Sequence, residues 1–371
     1  MASVRPPAVA GLFYPANAFD LARTVDGLLA QSAPSQAFDV PKAIIAPHAG
    51  FVYSGPVAAR VYSRFASARR RIRRIILLGP THRVALRGMA LPGVTAFATP
   101  LGETPIDADS VAWLLKLPFI GNSTEAHRQE HCLEVHLPFF QKVFDQFTLV
   151  ALAVGRATAE EVAQVLELLW GGEETLIVVS SDLSHYHPYA EAQAIDKATA
   201  QAILALSTGI HHEQACGATP VTGLNLYAKR HSLRPELIDL RNSGDTAGDR
   251  SRVVGYASFA LRRSQGNTME TGTDEGRTLL ALARAAIGQR LGQAGDADDT
   301  APWLDRQGAT FVTLTQNGKL RGCIGSLQAH RSLREDVRAN AEAAAFRDPR
   351  FKPLTAGELD RKSTRLNSSH T

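Results

Sequence analysis

Three short aliphatic runs each end in a turn that carries a histidine, and no other feature of the chain constrains its fold as much. Ala43-Ile44-Ile45-Ala46 leads into Pro47-His48-Ala49-Gly50, and Ile75-Ile76-Leu77-Leu78 into Gly79-Pro80-Thr81-His82. Leu176-Ile177-Val178-Val179 leads into Ser180-Ser181-Asp182-Leu183-Ser184-His185. Apolar runs without alternation, bounded by Gly, Pro and Ser, read as strands covered on both faces, the kind found in parallel sheets. Open α/β sheets bind their ligands beyond the carboxyl ends of the strands. Three histidines delivered to one sheet edge can therefore meet at one metal ion or one substrate.

Helical periodicity separates these runs. Apolar residues recur at three- and four-residue spacing over residues 19–29, 56–68, 159–170 and 189–206. Thr158-Ala159-Glu160-Glu161 places a capping residue ahead of two acids and marks a helix start. Further strands are expected at 148–154 and 253–261. The alternation predicts an α/β domain over residues 1–263, a helix-covered, mostly parallel sheet. Residues 264–274 (SQGNTMETGTD) are small, polar and turn-rich and read as a linker. Beyond them, residues 275–291 carry the amphipathic helix period, Asn317-Gly318 between two strand-like runs reads as a type I′ hairpin, and 333–346 reads as a helix. This second domain, 275–360, is α+β and partial. The final residues, 361–371 (RKSTRLNSSHT), continue no pattern, resemble a translated sequencing adapter and are expected to be a non-native tail.

Composition narrows the class. The chain of 371 residues has room for two hydrophobic cores, and 44% hydrophobic with 20% charged residues is the balance of a globular protein. The net charge of +4 is mild and dispersed, and the run from Arg69 to Arg74 reads as solvated cations near a helix end, so no nucleic-acid partner is expected. Three scattered cysteines exclude a disulfide framework and suit a reducing compartment. Pro6-Pro7 interrupts the N-terminal stretch, no signal-peptide core follows, and no apolar run is long enough for a bilayer. The expected location is cytoplasmic, with no membrane contact.

His48, His82 and His185 occupy one type of position, which argues for one shared site. Neutral imidazole is both a common metal ligand and a group that titrates near physiological pH. Asp182, three residues before His185, is suited to orient an imidazole or bind metal itself. In Glu130-His131-Cys132-Leu133-Glu134-Val135-His136 the histidines are five apart, so they cannot share a helix face as zincin ligands do. His131 is assigned to the site, and His136, in a predicted helix with Leu137 and Phe139, to the structure. Cys216 precedes a helix predicted over 221–230, whose dipole favours a thiolate; ligand, nucleophile and buried packing are all open to it.

In order along the first domain, 6–15 (PPAVAGLFYP), 47–53 (PHAGFVY), 78–82 (LGPTH), 130–138 (EHCLEVHLP), 180–185 (SSDLSH) and 216–220 resemble the Memo family, also called AmmeMemoRadiSam system protein B. Residues 320–326 (LRGCIGS) resemble the AMMECR family, system protein A, with only its first half present. The Memo resemblance implies a LigB-like fold, that of class III extradiol dioxygenases, with metal ligands His48, His82 and Cys216. It implies His185 and Asp182 in the pocket, an iron or copper ion, redox chemistry, and a radical SAM protein as partner. Where those dioxygenases place a carboxylate ligand this chain has a cysteine, softer and itself oxidisable, which argues against catechol cleavage. In the leading reading His185 is general acid or base, Asp182 orients it and His131 stands at the pocket wall. Two alternatives are a thiol hydrolase or transferase with Cys216 as nucleophile and His185 as base, and a non-catalytic scaffold or metal carrier. In the AMMECR-like part Cys323 is expected to be packed, and nothing near Arg321 completes an anion site.

Overall fold

The strands Ala43–Ala46, Arg74–Pro80 and Thr175–Ser180 are the three histidine-tipped runs, and all of their aliphatic residues are buried. The structure is a computed structural model that describes residues 3–32, 39–263, 271–293, 297–316, 319–326, 329–358 and 364–370. The chain divides into two compact units, Met1–Ser264 and Gln265–Thr371.

A nine-stranded sheet organises the first unit. Its strands lie in the order His185–His187, Val253–Arg263, Ala43–Ala46, Thr175–Ser180, Arg74–Pro80, Thr148–Val154, Met89–Leu91, Ile120–Asn122, with Leu233–Asn242 also paired to Val253–Arg263. The four central strands are parallel, with Ala46 beside Ser180, Leu78 beside Val179 and Pro80 beside Val154. That register brings the turns bearing His48, His82 and Asp182 out at one edge. Alternate side chains build two cores. Ile44, Ile75, Leu77, Leu149 and Val178 face one layer; Ile45, Ile76, Leu78, Val150 and Val179 face the other.

The sheet is mixed rather than mostly parallel. Val253–Arg263 runs antiparallel to Ala43–Ala46, to His185–His187 and to Leu233–Asn242, and Met89–Leu91 runs antiparallel to Thr148–Val154. The connection from Asn242 to Val253 is too short for a parallel crossover, which needs a dozen or more residues. Leu233–Asn242, with Arg234, Glu236, Asp239 and Arg241 among its ten residues, lacks the apolar run that betrays a buried strand. The helices follow their periodicity: Ala18–Gln31, Ala159–Leu169 behind the capping box at Thr158, Tyr189–Leu204 and Ala218–Arg230. Phe51–Tyr62 begins a turn before Pro56, where the helix was expected to start. The hydrogen bond that Pro56 cannot make would have gone to the carbonyl of Val52, an exposed residue that water serves.

In the second unit Thr271–Arg290 and Leu333–Phe346 are helices that share a core with Leu304, Val312 and Leu314. Of the expected linker, residues 264–270 lie outside the described residues and 271–274 are already helical. Thr310–Gln316 pairs antiparallel with Lys319–Gly325, while the Asn317-Gly318 turn lies outside the described residues. Thr364–His370, within the expected tail, is a strand paired along all of Thr310–Gln316. Cys323 is held by its backbone, its N–H donating to Asp348 and its carbonyl accepting from Arg350. Arg321 is paired with Glu358. Among the described residues no helix is long and apolar enough to cross a membrane.

Candidate metal centre

His48, two residues beyond Ala46, is 1% exposed, and its backbone N–H donates to Asp182 Oδ1 at 2.7 Å. Its ring meets Ser180 Oγ, where three hydrogen bonds converge and the protons can be placed by elimination. Ser180 Oγ lies 2.7 Å from His48 Nδ1, 2.7 Å from His136 Nε2 and 2.7 Å from the carbonyl oxygen of Cys132. The carbonyl only accepts, so the single Ser180 proton goes there, and both imidazole nitrogens must donate to Oγ. His136 Nδ1 is then the unprotonated nitrogen of a neutral ring, accepting from the Tyr62 hydroxyl at 2.7 Å. Burial holds His136 neutral, its pKa lowered to about 3. His48 is likewise kept neutral, by burial and then by His82 and His131 nearby. Its Nε2 therefore carries the lone pair, which faces the Cys216 sulfur at 3.4 Å.

A second clamp holds His82. Glu130 Oε2 accepts the His82 backbone N–H at 2.6 Å, and Oε1 accepts Nδ1–H at 2.9 Å. In the neutral ring, Nε2 is again the free nitrogen. Glu130 also accepts the backbone N–H groups of His131 and Cys132. Burial alone would raise its pKa, but these bonds and the His82 ring hold it at about 2. Gly79 permits the close approach: a Cβ there would lie 2.6 Å from Cys132 Sγ and 3.2 Å from Ser180 Cβ.

His131 completes a cluster. The rings of His82 and His131 stack at 4.8 Å between centroids, and those of His48 and His82 lie 5.2 Å apart. Each of His48, His82 and His131 offers a nitrogen within 4.8 Å of the other two. His131 Nδ1 is 3.3 Å from Glu130 Oε1 without the geometry of a hydrogen bond, and is buried with no partner. Cys216 Sγ approaches from the far side, 3.4 Å from His48 Nε2, and accepts the Asp182 backbone N–H at 3.3 Å. Burial, and then Asp182, pushes the Cys216 thiol pKa up. Imidazole nitrogens within 4.8 Å of one another, an orphaned buried Nδ1 and a sulfur beside His48 are donors suited to a transition-metal ion.

The centre faces a cavity of about 680 Å³, lined by His48, His82, His131, Asp182 and His185 together with tyrosines and Arg252. A second cavity of about 800 Å³ touches His82 and Cys216 from the other side. Of the residues assigned to the site from sequence, His48, His82, His131, Asp182 and His185 line the first cavity, while Cys216 touches His48 and lines the second. The sulfur of Cys216 contacts His48 and the Asp182 backbone rather than His185. Burial raises the Asp182 pKa to about 7 and lowers that of His185. Sequence reasoning missed Glu130 and Ser180, the two groups that orient the rings, although both lie inside quoted motifs. His136 is structural by position yet reaches His48 through one oxygen.

The N-terminal motif serves the same region. Arg5 donates to the carbonyls of His127 and Glu130 and to Glu134. Glu134 also accepts from the Tyr14 hydroxyl and the N–H groups of Ala8 and Val9. This knot sets Phe13 against His131, 4.8 Å between ring centroids.

Residues 5–260 match the family described as Memo-like protein, and residues 280–367 match AMMECR1. A MEMO1 family protein of Aquifex aeolicus is 36% identical over 265 residues, 68% of this chain and 97% of its own length. Another, of Archaeoglobus fulgidus, is 36% identical over 276 residues, 70% of this chain and 100% of its own. Among solved structures, uncharacterized protein JW3007 of Escherichia coli K12 is 14% identical, with 60% of this chain and 100% of that one covered at a TM-score of 0.42.

Proposed function

Because this chain belongs to the Memo-like family and carries an AMMECR1 domain after it, we propose that it is a metal-dependent redox protein whose ion is held by His48, His82 and Cys216. The observation that carries this reading is the 3.4 Å approach of Cys216 Sγ to Nε2 of His48, whose ring also belongs to the cluster with His82 and His131. It is close to the roughly 3.6 Å that separates nitrogen and sulfur ligands of one tetrahedral ion with ordinary bond lengths. Iron or copper at this place would supply Lewis acidity and one-electron chemistry, suited to oxidation of a small organic substrate with dioxygen.

The chain's own residues do the rest. Ser180 and Glu130 hold the two rings with Nδ1 turned away from the centre, a second layer that usually governs both affinity and geometry. Cys216 gives up its proton only with a cation beside it, since burial favours the neutral thiol. That same burial weighs against a free thiolate nucleophile. Asp182, with a pKa of about 7, holds or releases a proton at the cavity wall near neutral pH. His185 and His131 border the space where a substrate would lie.

Elemental analysis of protein purified without oxygen tests the reading. Wild type should carry close to one equivalent of iron or copper, Cys216→Ala and His48→Ala should lose most of it, and His131→Ala should keep the greater part. Wild type that takes up neither metal, or Cys216→Ala with full metal content, would overturn it.

A further inference from the structure

One wall of the histidine cavity carries two polar groups with no hydrogen bond or ion pair among the described residues. Tyr256 is 2% exposed and lines the cavity beside Asp182, Tyr53 and Tyr186. Among the described residues its hydroxyl has no hydrogen-bond partner. Arg252 lines the same cavity, exposed, with its guanidinium 5.1 Å from the centre of the Tyr186 ring. It has no ion pair among the described residues; the neighbouring acid, Asp249, is occupied by the N–H and O–H of Ser251. A hydroxyl that meets no protein acceptor and opens onto a cavity wall is a group for a ligand to satisfy.

The two groups have a defined spacing. Arg252, Val254 and Tyr256 all line the cavity; Arg252 immediately precedes the strand Val253–Arg263, and Tyr256 follows four residues later. Along an extended chain that is roughly 13 Å between backbone positions. Phe13, Tyr53 and Tyr186 add aromatic surface to the same cavity.

We infer that this cavity takes a small planar carboxylic acid whose carboxylate pairs with Arg252 and whose far oxygen accepts the Tyr256 O–H. The inference rests on the reading above in one respect, that the ligand meets the histidines in this cavity. A carboxylate suits the site better than a phosphate. One arginine neutralises one charge, and with Asp249 in the same wall a dianion would be left uncompensated. Asp182 and the cluster then lie next to the acceptor end of the ligand, where Tyr256 orients it.

Calorimetric titration of chelator-treated, metal-free full-length protein provides the test. The probes are 4-acetylbenzoate, which has a carboxylate and an acceptor-only oxygen across a ring, its neutral amide 4-acetylbenzamide, and 4-acetylphenyl phosphate. The acid should bind about ten-fold more tightly than the amide, and the phosphate no more tightly than the acid. Arg252→Gln, at an exposed position, should abolish the difference between acid and amide. Tyr256→Phe should weaken both about five-fold and leave their ratio unchanged. Equal binding of acid and amide by wild type, a phosphate that binds tightest, no binding of the acid, or an unchanged ratio in Arg252→Gln would each overturn the inference. Iron and copper uptake is measured on the same preparations: acid binding without uptake overturns the metal reading alone, and uptake without acid binding overturns this inference alone.

Discussion

His48 Nδ1 lies 2.7 Å from the hydroxyl oxygen of Ser180, and the direction of that bond decides which imidazole nitrogen faces the cavity. Ser180→Ala would leave two imidazole N–H groups and the Cys132 carbonyl without their partner in a dry interior. The expected cost is about 2–4 kcal/mol, read from urea unfolding of the metal-free protein. Metal affinity should fall about 10- to 100-fold, read from competition with a chromogenic chelator. A variant with unchanged stability and affinity would contradict the proton assignment.

Glu130→Gln should act on His82 in the same manner and should also change the response to acid. With a folded pKa of about 2 against 4.5, ionised Glu130 stabilises the fold fully above pH 4.5, and that stability is lost as the pH falls through 2. The contribution is about 3 kcal/mol. The glutamine variant should be less stable at pH 7 and lose less between pH 4.5 and 2, as chemical denaturation at stepped pH will report.

Asp196 should produce the opposite slope. It is 2% exposed, Oδ1 accepts the Ser184 N–H at 3.0 Å, and burial raises its pKa from 3.8 to about 6. The folded protein holds this proton longer than the unfolded chain, so stability falls as pH rises from about 4 to about 6, by up to about 3 kcal/mol. Asp196→Asn keeps the acceptor and removes the titration, so its stability should be flatter over that interval. Parallel curves for the two proteins would refute the assignment.

Gly79→Ala should cost about 1–3 kcal/mol through overpacking, because the new methyl would lie 2.6 Å from Cys132 Sγ and 2.9 Å from Leu133 Cδ2. Thermal melts will read the loss. Gly27→Ala, with nothing within 4 Å of its added methyl, serves as the control and should not destabilise the protein.

The parts of the fold that announced themselves were those whose own residues decide their conformation. Ile44, Ile76 and Val178 lie in runs that satisfy both faces of a sheet, and Thr158 and Glu161 cap a helix from within it. The strand Leu233–Asn242 did not, because its pairing with Val253–Arg263 comes from the partner rather than from an apolar pattern. The site divides in the same manner. His48, His82, His131, Asp182, His185 and Cys216 carry recognisable chemistry in turns and at element ends. Ser180 and Glu130 gain their roles only once distant backbone folds around them, 132 residues from His48 and 48 from His82. Tyr256 and Arg252 stand in an aliphatic strand and a polar turn that look unremarkable until the cavity is formed.

The knot between Arg5 and Glu134 ties together residues 129 positions apart. During synthesis the N-terminal segment therefore emerges long before its partner, and must wait unpaired while the intervening chain is made. Contacts of such separation slow folding, because the loop between them must close before they form. Phe13 can take its place against His131 only once that loop has closed.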